Sequence, residues 1–476
     1  MEHINDRSEQ DFLGEKKIPE TAYYGIQTVR ALENFPITGE KMNHYAIKAL
    51  AIVKKSAAQA NRDLGYLNEE IAKAIIQAAT EIIAGKWHDQ FIVDPVQGGA
   101  GTSSNMNANE VIANRALELI GERKGNYNKI SPTTHVNMAQ STNDVFPTAN
   151  HMTMLTKIEH LLAEMNKLHD AYTKKAQEFY EHLKIGRTHL QDAVPMSLGQ
   201  EFEAYAHALK RDIERINDAK KYLYPINMGG TAVGTGLNAD PLYIKKVVAY
   251  LRENSGLPLE QAPHLVDATQ NTDAYTTLSA TLKICMVNMS KVANDLRLLA
   301  SGPKVGLNEI TLPARQAGSS IMPGKVNPVM AEVVNQVAFQ VMGNDHTVTL
   351  ASEAGQFELN VMEPVLVYRL IDSIKIMTNV INVFTEHGIK GITVNCEQLE
   401  ENMNKSLGVI TAINPHIGYE KATEVATEAY RTGASIREIC EKKGLLTKAE
   451  LEQILNPSEM TEPGISARHL LKQKNK

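Results

Sequence analysis

An all-α protein is predicted for this sequence by three features. Apolar residues recur at helical spacing over long stretches, Ala, Leu, Ile, Glu and Lys dominate the composition, and aromatic residues make up only 5%. With 476 residues the chain has length for about three domains of roughly 150 residues each. Its hydrophobic share of 43% is enough for a large core.

Residues 1–150 mix short helical stretches with loops, marked by EKKIPETAYYG at Glu15–Gly25 and the Gly-rich VQGGAGTSSN at Val96–Asn105. An irregular N-terminal domain is expected there. From His151 the pattern changes, because Leu155, Ile158, Leu162, Met165, Leu168 and Tyr172 fall on one helix face. Another stripe runs Leu278, Leu282, Cys285, Met289, Val292, Leu296 and Leu299, and others lie near 197–222, 329–343 and 365–385. Residues 151–395 are therefore expected to form a bundle of about five long helices. After GIKGITVN at Gly388–Asn395 the periodicity shortens and charge rises. A small helical C-terminal domain is placed at 396–476, ending in a frayed basic tail, HLLKQKNK. Met286, Val287 and Met289 put apolar groups on more than one face of their helix, which either burial in an oligomer or a thick core within one subunit would produce.

A formal net charge of −6 gives no overall attraction for nucleic acid or an anionic membrane. An anionic ligand must then be held by local groups. Cys285, Cys396 and Cys440 have neither metal-ligand spacing nor an even count, so reduced thiols are expected. The opening MEHINDRSEQDF has no apolar signal core, and no apolar run approaches the roughly 18 residues of a membrane span, so a cytoplasmic protein is expected.

Four segments carry side chains suited to holding an anionic ligand or acting as a base on it. GSSIMPGKVNP at Gly318–Pro328 sets Ser319 and Ser320 at a loop tip between two glycines, with Pro323 stiffening the loop, Lys325 adding a cation and Asn327 an amide. Asn327-Pro328 ahead of MAEVVNQV reads as an N-cap followed by proline at the first helical position, and a helix start is a carboxylate site by itself. The same residues also fit a flexible Gly/Ser linker with a capping Asn. In VQGGAGTSSN, Thr102 follows glycines that let backbone approach a ligand, but the Lys-Ser/Thr ending of a phosphate loop is missing. Ser141, Thr142 and Asn143 offer two hydroxyls and an amide just before a long helix, where they serve equally as its cap. Thr188 and His189 stand ahead of a proline-ended turn in KIGRTHLQDAVP, and a purely structural histidine fits there as well. Asp144 and Asp192 lie in no ligand-spaced cluster, so neither metal nor cofactor is assigned.

GSS-x-MP-x-K-x-N resembles the signature of the aspartase/fumarase superfamily, lyases that release fumarate by removing a proton and a leaving group from adjacent carbons. DAVP at Asp192–Pro195, GQEFEAYA at Gly199–Ala206, GLNADP at Gly236–Pro241 and FELNVMEP at Phe357–Pro364 are similar to the family too. The likeness therefore covers nearly the whole chain. It implies a three-domain fold whose central helix bundle joins a twenty-helix core in a homotetramer, with active sites shared between subunits. Position by position, it implies that Ser319 is the general base that removes the proton. Thr102, Ser141, Thr142 and Ser320 would hold the β-carboxylate and its aci form, and Thr188, Lys325 and Asn327 the α-carboxylate. Met322 would be a further loop residue on the substrate, and Asn143 and His189 would face the leaving ammonia. His189 and Lys325 join Ser319 as the implied catalytic residues. A doubly charged aci-carboxylate needs this kind of set, several oriented donors and a cation beside a base.

Within the superfamily, Ser141-Thr142-Asn143, PVMAEVVNQV at Pro328–Val337 and Glu363 resemble the aspartase branch. Class II fumarate hydratases usually have Ser-Ser-Asn at the first place and lysine at the last. His189 matches fumarases and only some aspartases, and GGTAVGTGLN at Gly229–Asn238 fits both. The expected reaction is reversible deamination of L-aspartate, with hydration of fumarate as the alternative. A non-catalytic relative of the lens-crystallin kind is argued against by the intact Ser319, Lys325, Thr188 and His189.

Overall fold

A computed structural model describes residues 6–474. The chain divides into two compact units, one of Met1–Ala163, Asp212–Met286 and Ala338–Thr378, the other of Glu164–Arg211, Val287–Val337 and Asn379–Lys476. Five long helices, Thr142–Glu178, Leu198–Ala219, Asp273–Leu299, Val329–Glu353 and Glu363–His387, each lend residues to both units. They follow the five apolar stripes. The first starts at Thr142, however, so the boundary expected at 150/151 falls inside it. Its opening turns are polar and contain Pro147, which hid them from a reading by apolar periodicity. Proline cannot donate to the Asn143 carbonyl four residues back, and Asn227 Nδ2 fills that place at 2.9 Å.

In the first unit, helix His44–Asp63 packs against Glu69–Ile83 and Pro241–Ser255. Each start has an Asx cap: Asn43 accepts from Tyr45 N, Asn68 from Glu70 N, and Asp240 from Leu242 N with Pro241 at the first helical position. The N-terminal segment is a strand pair, Asp6–Asp11 antiparallel to Gly14–Pro19, where loops and short helices were expected. It is held by polar groups: Arg7 donates to Glu9, to Ala22 O and to Tyr24 O, and Glu9 accepts from Ile26 N.

The second unit holds a hairpin, Leu183–Thr188 with Gln191–Ser197, and a short pair, Ile310–Thr311 with Thr393–Val394. Its C-terminal helices bury a cluster of their own, including Ile413, Val425, Ile439 and Leu451. Ser435 and Thr447 open two of these helices with reciprocal capping boxes. The expected frayed tail is instead a helix, Arg468–Lys474, whose Leu470 packs on that cluster; Asn475 and Lys476 lie outside the described residues. Gly408 touches the hairpin so closely that a Cβ there would lie 1.8 Å from Ala193 O. Cys285 and Cys440 are buried and Cys396 is exposed, all as free thiols. No helix among the described residues is long and apolar enough to cross a membrane.

Candidate active site

Thr102 and the Ser141 to Asn143 run stand at two adjoining helix N-termini of the first unit. Gly101 makes this possible: its φ is +91°, and a Cβ would meet the Phe146 ring at 2.4 Å. Only glycine satisfies both conditions. Thr102 Oγ1 donates to Gly99 O at 2.7 Å. Ser141 caps the second helix, its Oγ accepting from Asn143 N, while Asp144 Oδ1 accepts from Ser141 N in return. Asp144 Oδ2 also takes Gly229 N and Thr231 N. Burial pushes the Asp144 carboxyl up to about 6 against these bonds and the nearby Lys54 charge. Asn143 Nδ2 donates to Ala232 O at 2.7 Å, leaving Oδ1 as its acceptor toward a ligand.

Behind these caps lies a buried cation that sequence reasoning missed. Lys54 is 0% exposed, and its Nζ donates to Asn105 Oδ1, Asn137 Oδ1 and Gln140 Oε1 at 2.6, 2.9 and 2.9 Å. Burial pushes its ammonium down to about 7, with Asp144 opposing. Asn105 Nδ2 then donates to Thr142 Oγ1 at 3.0 Å. A usable signal was present, since Lys54 falls on the helix face shared by Leu50, Val53 and Ala57, all buried.

In the second unit Thr188 and His189 are exposed at the tip of the hairpin. Thr188 pairs with Gln191, so His189 and Leu190 form a two-residue turn with φ of 53° and 63°. Left-handed geometry in two non-glycine residues costs of order 1–3 kcal/mol each and is a mark of functional turns.

The Ser319 loop closes on itself in the same unit. Gly318 N donates to Lys325 O at 2.7 Å, and Asn327 Nδ2 to Gly318 O at 2.9 Å. A side chain at 318 would strike Lys325 O and Asn327 N at 2.8 and 2.9 Å. Asn327 is therefore a clasp at the loop neck, giving one of its two amide N–H groups to Gly318 O, and the helix Val329–Glu353 opens with Glu332 N bonding Pro328 O, so the cap position is Pro328 and not the expected Asn327. Ser319 Oγ accepts from Ile321 N at 3.2 Å and Met322 N at 3.1 Å. Two N–H groups aimed at one hydroxyl oxygen favour its anionic form. Ser320, Met322 and Lys325 are exposed around it. Among the described residues, no group of three or more His, Cys, Asp or Glu is arranged to hold a metal ion.

A lyase family model matches residues 14–343, and a fumarase C C-terminus model matches residues 409–462. The chain belongs to the aspartase/fumarase superfamily of lyases. An aspartate ammonia-lyase from Bacillus sp is 65% identical, covering 97% of this chain and 99% of its own. A structure of fumarate lyase:delta crystallin from Brucella melitensis, bound to cobalt, superposes with a TM-score of 0.94 at 47% identity, over 96% of this chain and 100% of that one. A class II fumarase structure from Schistosoma mansoni gives a TM-score of 0.92 at 34% identity, over 96% and 100%. The all-α fold is that of this superfamily.

Proposed function

We propose that this chain is an aspartate ammonia-lyase, a carbon–nitrogen lyase converting L-aspartate to fumarate and ammonia. The full-length identity of 65% to a Bacillus sp aspartate ammonia-lyase, against 34% to a class II fumarase, supports that choice. The observation that carries the chemistry is the pair of backbone N–H groups on Ser319 Oγ. They make serine, ordinarily a poor base, able to take a proton from Cβ. The C–H electrons move into the β-carboxylate as its aci form. Hydroxyls of Ser141, Thr142 and Ser320 and the two helix N-termini meet that charge, and Thr102 joins them once its hydroxyl turns from Gly99 O. The electrons then form the Cα–Cβ double bond as the Cα–N bond breaks. The ammonium group leaves as neutral ammonia with the bond pair, past Asn143 Oδ1 and His189. Thr188, Lys325 and Asn327 hold the α-carboxylate, with Met322 beside it. This reading assigns no metal or cofactor.

The enzyme is read as a cytoplasmic homotetramer with each site shared between subunits. Exposed apolar side chains on the long helices support oligomerisation: Val287 is 47% and Phe339 65% exposed, and Ile284 and Leu350 are exposed as well. Met286 and Met289 are buried within the single chain, as a thick core within one subunit would have them, while the exposed Val287 beside them supports the oligomer reading. The test is fumarate absorbance in the ultraviolet with L-aspartate and, separately, L-malate. Aspartate should turn over faster; a preference for malate would make the chain a fumarate hydratase.

A further inference from the structure

Glu309 is the meeting point of four segments of the second unit. Its N–H bonds Leu299 O at the end of a long helix, at 2.8 Å, and its carbonyl accepts from Asn395 N at 3.0 Å. Its carboxylate, 0% exposed, takes Arg187 Nη2 at 2.6 Å and Asn402 Nδ2 at 3.1 Å on one oxygen, while Lys184 Nζ lies 3.8 Å from the other. Lys184 also pairs with Glu201 at 2.5 Å. Downstream, Ile310–Thr311 leads through Pro313 into Gly318 and the Ser319 loop.

The hairpin is shaped for this contact. In a regular strand, residues three apart point to opposite faces, so Lys184 and Arg187 could not both reach one carboxylate. The register shifts between Ile185 and Arg187, and the residue between them is Gly186, where a Cβ would meet Val194 O at 2.9 Å. That irregularity turns Arg187 onto the same carboxylate as Lys184. Thr188 follows directly, then the strained His189–Leu190 turn. Buried ion clusters rarely add net stability, because desolvation offsets the attraction, and their best-supported use is to fix a unique geometry.

We propose that Glu309 is a positioning residue, acting through Arg187 to fix the hairpin tip that presents Thr188 and His189. The inference rests on the ammonia-lyase reading of the site. Its test is the purified full-length enzyme carrying Glu309→Gln, Thr188→Val, or both, compared in KM and kcat for aspartate and in thermal midpoint. Glu309→Gln is expected to lower kcat/KM by roughly 10- to 100-fold, mostly through KM, the scale of a misplacement of about an ångström. The double variant should be scarcely worse than Thr188→Val alone, because both changes damage one contact. Arg187→Lys, which keeps the charge but loses the fork, should show the same KM effect with little loss of midpoint, and it carries the test if Glu309→Gln does not assemble. Losses that multiply in the double variant, or lowered midpoints with KM unchanged, would overturn the inference. A Thr188→Val enzyme with ordinary KM overturns the route through Thr188. Wild type preferring malate to aspartate sinks the functional reading and leaves the positioning role standing, to be read from the same cycle on malate.

Discussion

Lys54 Nζ lies 2.6 Å from Asn105 Oδ1, and the same amide gives its nitrogen to Thr142 Oγ1. Three amide oxygens around Nζ call for the ammonium form, which only donates, so it fixes which end of the amide faces Thr142. Thr142 Oγ1, already accepting, keeps its own proton for a ligand carboxylate. Lys54→Met would leave three amide oxygens without this donor and free Asn105 to turn over. We expect kcat/KM for aspartate to fall by roughly 10-fold or more, the equivalent of one lost net hydrogen bond of about 1.4 kcal/mol. Steady-state kinetics on the folded variant decides it; an unchanged kcat/KM would mean that Thr142 is oriented without the cation.

The two serines of the loop should behave differently. Ser319 Oγ receives two backbone N–H groups, whereas Ser320 is exposed beside it. Ser319→Ala is expected to lower kcat by at least ~10²-fold with the fold intact, the usual range for removing a general base. Ser320→Ala should act mainly on KM. If Ser320→Ala proves the kcat-dead variant and Ser319→Ala the mild one, the base is Ser320.

What sequence made legible depends on which signal each element leaves. The five bundle helices left apolar stripes, and the loop left Gly318, Ser319, Lys325 and Asn327 in order. The strand DRSEQD left nothing, because Arg7 and Glu9 are its inward residues and apolar alternation is absent. Asn327-Pro328 looked like a cap by residue type, yet the first intrahelical bond is accepted by Pro328 O and Asn327 turns its amide nitrogen to Gly318 O. Arg187 and Glu309 are far apart in sequence, and no local pattern announces a pair made by tertiary packing.

Glu363, buried and bonded to Tyr275, gives a stability prediction. Burial pushes its carboxyl up to about 7, although the Tyr275 hydroxyl donates to it at 2.8 Å. The unfolded chain releases that proton near the ordinary value of about 4.3. Between these values the folded chain holds a proton that the unfolded chain has lost. The group's contribution is therefore whole below about 4.3 and is lost as pH rises to about 7, a change on the order of 4 kcal/mol. Glu363→Gln keeps the shape and the Tyr275 bond without the charge. Its thermal midpoint should exceed that of wild type near pH 8, with the gap closing toward pH 5. A gap that stays constant with pH would show that the carboxyl is not raised.

The proposed sharing of the site between subunits predicts complementation between two dead enzymes. Thr188 sits on a hairpin tip and Ser319 in a loop with its own clasp, so each can be disabled without disturbing the other. Ser319→Ala and Thr188→Val homotetramers, each nearly inactive, would be unfolded together and refolded. If a site takes its Thr188 and its Ser319 from different subunits, random assortment leaves both intact in about a quarter of sites. Activity should then rise toward roughly a quarter of wild type, provided distant defects act independently. If both residues come from one subunit, every site keeps one defect however the chains are mixed. Hybrid tetramers seen by native mass spectrometry without activity above either parent would therefore place Thr188 and Ser319 of each site on the same chain.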